Sequence, residues 1–377
     1  MLRLLGGFTG LVLGAAALAG VAQAADPIKI GMIAPTTGGA AETGRYQMNG
    51  ARLAAEQINK AGGVLGRNIE LVIEDDQTTN PGAVNAFNRL ANDSSIVAFL
   101  APIRSTQVHA IAPAAAKIGK PVAFGGTDPK LTRINNPWLF RFRPNDEISA
   151  RAIVEYGVEE LQKKKWAIIH ATDAFGTSGA NLLAAALKER GITPVTVQGF
   201  TTATQDFTPI VLAVKQSGAD IIASYATAET DQAILAKQLK QFGVDVPWIG
   251  SATIVSATAM KLAGPDLYGT YALTDFAVES SPAAGAFAAR YKAAYGATPD
   301  FFASWAYDAV SVLGNAIKTA NSTDPAAIRK AMIDTKGFDG AEGPYNFDAS
   351  GEGLHGYNIV QNKNGVPTFV KRVEAAK

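Results

Sequence analysis

No cysteine occurs anywhere in the 377 residues. That excludes a lipid-bearing cysteine, a disulfide framework and a thiolate nucleophile. Charge is also scarce: charged side chains make up 18% of the chain, and 34 Lys+Arg nearly balance 33 Asp+Glu. Without a basic stripe there is no electrostatic footprint for nucleic acid. Histidine is down to three residues, His109, His170 and His355, too far apart for metal-ligand spacing. Structural or surface roles are expected of them. Catalytic signatures are missing as well, whether G-x-x-x-x-G-K-S/T, G-x-S-x-G or H-E-x-x-H. Glu74-Asp75-Asp76 reads better as a solvated strand end than as a metal site. The glycines of Thr37–Gly44 lack dinucleotide spacing. No metal and no cofactor are therefore expected, and catalysis would lack its usual groups. After residue 24 no stretch is long and apolar enough to span a bilayer.

What is present begins with an address. Arg3 is the only charge before Asp26, an apolar run covers Leu4 to Ala19, and Ala22-Gln23-Ala24 follows. This is the pattern of a secretory signal over residues 1–24, cut after Ala24. Its removal takes one positive charge from the formal +1 and leaves 0. The mature chain is expected in the bacterial periplasm, soluble and not inserted in the membrane.

The remaining chain alternates short apolar runs with helical periodicity. Ile28–Ala34 and Ile69–Ile73 read as strands around a helix from about Gly44 to Lys60, which stops at Gly62-Gly63. The alternation continues through a Pro81-led helix, pauses at the extended Leu139-Phe-Arg-Phe-Arg-Pro144, and restarts after it. From there helices are expected over Asp146–Gln162, Phe175–Arg190, Phe207–Gln216 and Asp231–Phe242, with strands between them. Further helices cover Pro282–Tyr295, Phe302–Ala320 and Pro325–Thr335. Tyr357–Val373 reads as a hairpin turning at Asn362-Lys-Asn-Gly365. Such alternation implies a doubly wound α/β sheet, built twice.

The chain is organised around Phe99-Leu-Ala-Pro-Ile-Arg-Ser-Thr106, an apolar strand that turns into a helix near Ser105. Ser105 and Thr106 occupy capping positions, and the first amides of such a helix attract anions. Pro121-Val-Ala-Phe-Gly-Gly-Thr127 repeats the device. Ser105, Thr127 and the backbone at Gly126 together could hold one small carboxylate; the plainer reading is two ordinary strand-to-helix turns. Arg104 could add a bidentate contact or simply face solvent. Tyr46, Phe175, Tyr225, Phe302 and Trp305 each lie at or near a predicted strand end or helix start, as pocket walls do, though core packing would place them there too.

In this order, Ile28-Lys-Ile-Gly31, Asn49-Gly-Ala-Arg-Leu-Ala54, Gly62-Gly63, Asp75-Asp76, Ala112-Pro113, Thr127-Asp-Pro-Lys-Leu-Thr132, Phe140-Arg141, Phe175-Gly176 and Tyr307-Asp308-Ala309 resemble one family. It is the periplasmic substrate-binding proteins of ABC importers, in their leucine/isoleucine/valine-binding branch. The resemblance spans essentially the whole mature chain. It implies a type I periplasmic binding protein fold, with two Rossmann-like lobes joined by three crossings and the ligand held between them. On this chain the lobes would be residues 25–143 plus 277–353 and residues 144–276 plus 354–377.

The resemblance also implies that Ser105 and Thr127 hold the ligand's carboxylate and that Phe175 and Phe302 form aromatic walls. Ala252 falls where amino-acid binders of this branch place the acid that pairs with the ligand's ammonium. Arg104 and Thr78–Thr79 fall near the family's disulfide cysteines. The implied function is a monomeric, non-enzymatic binder that delivers a small apolar carboxylate to a permease and its ATPase. That ligand is either a hydrophobic amino acid or, given Ala252, an acid without an ammonium group. A sensing module for a receptor kinase or chemoreceptor, and a periplasmic enzyme, are the rival expectations.

Overall fold

A computed structural model describes residues 26–374; the signal segment read over residues 1–24 lies outside them. The chain opens with β1 (Ile28–Ala34), α1 (Ala41–Lys60), β2 (Ile69–Asp75), α2 (Asn80–Ala91), β3 (Ile96–Leu100), α3 (Ser105–Ile118), β4 (Val122–Phe124) and β5 (Leu139–Arg141). It continues through α4 (Asp146–Glu155), β6 (Trp166–Ala171), α5 (Ala174–Glu189), β7 (Thr196–Phe200), α6 (Thr208–Ser217), β8 (Ile221–Tyr225), α7 (Glu229–Gln241), β9 (Trp248–Gly250), α8 (Ala257–Ala263) and β10 (Tyr271–Thr274). It ends with α9 (Pro282–Tyr295), α10 (Phe301–Ala320), α11 (Pro325–Asp334), β11 (Lys336–Asp339), β12 (Pro344–Asn346), β13 (Gly356–Lys363) and β14 (Val366–Glu374).

Helix starts follow a local rule. Thr79, Asn145, Asp173, Ser256, Ser281, Asp300 and Asp324 each accept a hydrogen bond from an amide two or three residues on. Each satisfies one of the donors that a helix start leaves free. The strands between are short and apolar because both their faces are covered.

Two large sheets result. The first is parallel, in the order β2-β1-β3-β4-β5. One of its faces packs with α1, α9, α10 and α11, the other with α2 and α3. The second runs β14-β13-β10-β9-β8-β6-β7, parallel from β10 to β7 and antiparallel at β13 and β14. Its faces carry α4 and α5 on one side and α6, α7 and α8 on the other. Each sheet thus has its own core. The chain passes between them three times: after β5, after β10, and between β12 and β13. Gly351 and Glu352, on the third passage, pair with Arg141 at the end of β5.

Several elements differ from the sequence reading. Helix α1 starts at Ala41 rather than near Gly44, with Glu42 in its first turn held 2.6 Å from Arg45. Helix α4 ends at Glu155 and is followed by a single π-turn, Tyr156–Glu160, instead of running evenly to Gln162. The small β11–β12 hairpin has no clear signal in the sequence. Its Tyr345 and Phe347 bury against Phe142, with ring centroids 5.2 Å away in each case.

Helices α1 and α10 make the closest helix contact in the first lobe. A Cβ on Gly50 would overlap the carbonyl of Ala303, so only glycine allows this crossing. Gly50→Ala should lower the unfolding free energy by about 1–3 kcal/mol, the range for an overpacked core. Urea denaturation reads it, and an unchanged midpoint would contradict the close approach.

Candidate functional site

The turn after β3 sets Arg104 as the extended residue before α3, with no side-chain cap. Ser105 does not cap the helix as its position suggested. Its Oγ instead accepts from the amides of Thr127 at 3.1 Å and Asp128 at 3.2 Å, which stitches the two strand ends together. With both lone pairs engaged, the Ser105 O–H remains a donor. Thr127 is tied differently. Its Oγ1 lies 2.9 Å from Asp146 Oδ2, at the start of α4.

These residues line a cavity between the two sheets, together with Ile103, Arg104, Arg143, Phe175, Thr227, Thr253, Phe301 and Phe302. The cavity lies outside the carboxyl ends of parallel strands, where open α/β sheets gather their ligand groups. Its volume is about 40 Å³. A wider cavity of about 440 Å³ opens beside the crossings, among Arg133, Glu147, Arg151 and Glu155. One of its two arginines is already paired, Arg133 with Glu147 at 2.7 Å. The smaller one combines the Ser105 hydroxyl donor and two arginines with apolar walls, the make-up of a small-molecule site.

Of the residues singled out from sequence, Arg104, Ser105, Thr127, Phe175 and Phe302 line this cavity, whereas Gly126, Tyr46, Tyr225 and Ala252 do not. The Gly126 carbonyl accepts from Arg141, and the space beside its Cα is filled by Leu131 and Ser105. Tyr225 is fully buried behind Phe175, with ring centroids 5.3 Å apart. It fits there because Gly179 leaves room for its ring, and its hydroxyl donates to Ser149 at 2.8 Å. Tyr46 stacks on Tyr291 at 6.1 Å with the Arg45 guanidinium over its ring. Ala252 joins the apolar cluster of the first lobe, while its neighbour Thr253 takes the cavity position. Arg143, Thr227, Thr253, Ile103 and Phe301 were missed. For Arg143 a signal existed: a charged residue in an apolar extended run is rarely buried unless it has a partner.

That partner is Asp275, on the second crossing. Arg143 donates to both of its carboxylate oxygens, to Oδ1 at 3.0 Å, with the acid fully buried. The guanidinium also stands 4.7 Å over the Phe301 ring. Beside the passages the lobes are joined by Thr127 and Asp146, by Arg133 and Glu147, and by Arg372 Nη1 donating to the Glu342 carbonyl; three further polar contacts cross the cleft away from them. Arg104 faces Glu229 at 3.7 Å. Ser178 of α5 donates to Asp128 at 3.0 Å, and the other Asp128 oxygen meets His109 at 2.8 Å. The Ala257 amide donates to Asp300 at 3.1 Å. Burial raises the Glu229 carboxyl above its usual range, against the pull of Arg104. Burial likewise pushes Asp300 up to about 6, opposed by the amides it accepts from. His170 and His355 meet backbone carbonyls, and among the described residues no group of His, Asp or Glu side chains could hold a metal.

Removing one member of a buried pair leaves the other charge stranded. Arg143→Met should destabilise the fold by about 3–5 kcal/mol, and Arg143→Met with Asp275→Leu by clearly less than the two single changes added together. A double-mutant cycle by denaturant unfolding measures this; strict additivity would remove the pair's role.

Residues 27–366 match the family model for periplasmic binding proteins. A Leu/Ile/Val-binding protein homologue of Brucella melitensis is 30% identical over 344 residues, 89% of this chain and 92% of that one. A branched-chain amino acid substrate-binding protein of Streptococcus pneumoniae, solved in complex with isoleucine, superposes with a TM-score of 0.83 at 26% identity, covering 92% of this chain and 99% of that one. A solute-binding protein of Rhodopseudomonas palustris, solved with 3,4-dihydroxy benzoic acid, shares the fold with a TM-score of 0.83 at 21% identity, covering 93% and 98%. With two parallel-sheet lobes, three passages between them and a cavity at their strand ends, the chain belongs to the periplasmic binding protein family.

Proposed function

We propose that this chain is the periplasmic solute-binding component of an ABC importer. It captures a small apolar carboxylate between its two lobes and delivers it to a permease. One observation carries the reading: the interlobe cavity is lined by the Ser105 hydroxyl and two arginines together with the rings of Phe175, Phe301 and Phe302. A carboxylate meets charge-assisted donors on one side, and its apolar part meets rings on the other. The cavity holds about three waters at its present volume of 40 Å³. An amino-acid-sized ligand therefore needs the lobes to part and close again around it. Residues 26–143 with 277–353 would move against residues 144–276 with 354–374, hinged at the three passages. The few polar contacts across the cleft suit such a reversible motion.

Two observations divide the ligand class. Ala252 lies off the cavity in an apolar cluster and Thr253 takes its place there, so this position supplies no acid for an ammonium group, which leaves room for a ligand without one. Glu229, in contrast, is buried with its Oε1 unpartnered and one oxygen 3.7 Å from Arg104. Asp231 and Asp275, the other acids near this side, are engaged by the Ala203 amide and by Arg143. Glu229 is therefore the acid with capacity left for a ligand ammonium. The Brucella relative's name favours an amino acid; the fold itself serves both kinds of ligand.

The test is calorimetric titration with leucine, isoleucine, phenylalanine, phenylpropanoate and benzoate. At least one should bind, and a panel in which none does would overturn the reading. Ser105→Ala should weaken the bound acid by about 1–3 kcal/mol, because it removes a charge-assisted donor. Glu229→Gln should weaken any amino acid by about 1.5–3 kcal/mol and leave phenylpropanoate within about twofold. Equal losses for both would deny Glu229 the ammonium role.

A further inference from the structure

Thr127 faces the cavity with a hydroxyl that is already committed. Its Oγ1 sits 2.9 Å from Asp146 Oδ2, and both residues are 2% exposed. The Asp146 amide in turn donates to the Thr127 carbonyl at 2.9 Å, which fixes the pair. A hydroxyl has one proton. While Asp146 is ionised, that proton belongs to Asp146, and Thr127 turns a lone pair toward any other acceptor. A ligand carboxylate at this spot would then be repelled.

The nearby charges sharpen the conflict. Arg143 is neutralised by Asp275, and Arg104 faces Glu229. The donors of Arg141 go to Glu352, to the carbonyls of Gly126 and Asp128, and to Thr132. Among the described residues no arginine donates a hydrogen bond to Asp146. Asp128 adds a further negative charge from the first lobe, while Tyr225 and Tyr357 press neutral hydroxyls near it from β8 and β13. An arriving anion therefore enters a site whose positive charges already have partners.

We propose that Asp146 is a proton-coupled positioning residue for the carboxylate site: it takes up a proton from solvent when a carboxylate binds, donates it in a hydrogen bond to Thr127 Oγ1, and so turns the Thr127 hydroxyl proton toward the ligand. No covalent bond changes beyond the new Asp146 O–H, and the bound ligand's charge is offset by the proton gained. The inference rests on the carboxylate reading of the cavity. Burial supports it by pushing the Asp146 carboxyl up to about 7, against the Thr127 hydrogen bond and the two arginines. The group is thus poised to change state at neutral pH.

The sign follows from linkage. Binding favours protonated Asp146, so the bound form has the higher pKa. Affinity is level below the pKa of the free form and falls by up to about tenfold per pH unit above it, until the bound form also ionises. The experiment is calorimetry of the acid that binds from the panel above, in buffers of different ionisation enthalpy. At about pH 8 the wild-type protein should take up about one proton per ligand, and at about pH 5.5 close to none. Asp146→Asn keeps a donor for Thr127 and should bind with no proton uptake and a level pH profile. Thr127→Val removes the relay hydroxyl and should also abolish the uptake, which keeps the test open if the asparagine variant fails to fold. Binding without proton uptake at about pH 8 in the wild type, or uptake that persists in either variant, would overturn the inference while leaving the carboxylate reading intact. A panel with no binder would overturn both.

Discussion

The buried pair of Arg143 and Asp275 is the interaction on which the rest of the molecule depends. Each residue lies on a different passage between the sheets. The start of β13, just past the third passage, joins them: Asn358 Nδ2 donates to the Asp275 carbonyl at 2.8 Å, and the Tyr357 hydroxyl donates to the Pro144 carbonyl. A guanidinium out of water needs a matched acceptor, and so does a carboxylate. Neither can leave without stranding the other. The three strands of chain are therefore pinned at one dry point, and parting them there would leave a buried charge without its partner. The same guanidinium reaches the cavity and covers Phe301, so the pivot and the ligand site share a side chain.

Away from the pivot, what holds the lobes together is weaker. Arg104 and Glu229 stand 3.7 Å apart, beyond good hydrogen-bond distance though within attraction. Ser178 and Ala257 each add one hydrogen bond. Contacts of this kind contribute about 1 kcal/mol each after water's competition is counted. A cleft held by so little is one whose closure a ligand can tip through its own differential contacts. A large apolar interface in the same place would hold the lobes shut with or without a ligand.

How much of this the sequence carried depends on the range of the interactions. The alternation of strands and helices was legible because it rests on local periodicity and on stop signals such as Gly62-Gly63. The strand ends at Ser105 and Thr127 were legible for the same reason. What the hydroxyls do there was not. Ser105 bonds amides more than twenty positions away, and Thr127 bonds a residue of the following helix; neither partner is marked in the local pattern. Tyr225 and Phe175 look alike in sequence, yet the bare backbone at Gly179 lets one ring sink behind the other. Arg143 had the opposite problem. Its partner lies 132 positions on, so only the oddity of a charge in an apolar run could betray it.

The path from the site to the second lobe is short. Thr127 ends a strand segment of the first sheet, whereas Asp146 opens α4, whose Ala150, Ile153 and Val154 pack against the second. The Thr127–Asp146 contact therefore crosses the first passage, three residues past the Arg143 pivot. Whatever bonds the Thr127 hydroxyl bears on the start of α4 as well as on the ligand. Tyr225, behind Phe175, and Tyr357, beside the pivot, both lie near the same carboxyl. One buried acid thus meets the Thr127 hydroxyl at the cavity, a strand end of the second sheet and the first passage between the lobes. A change of its charge would be felt at all three, because burial weakens the screening around it.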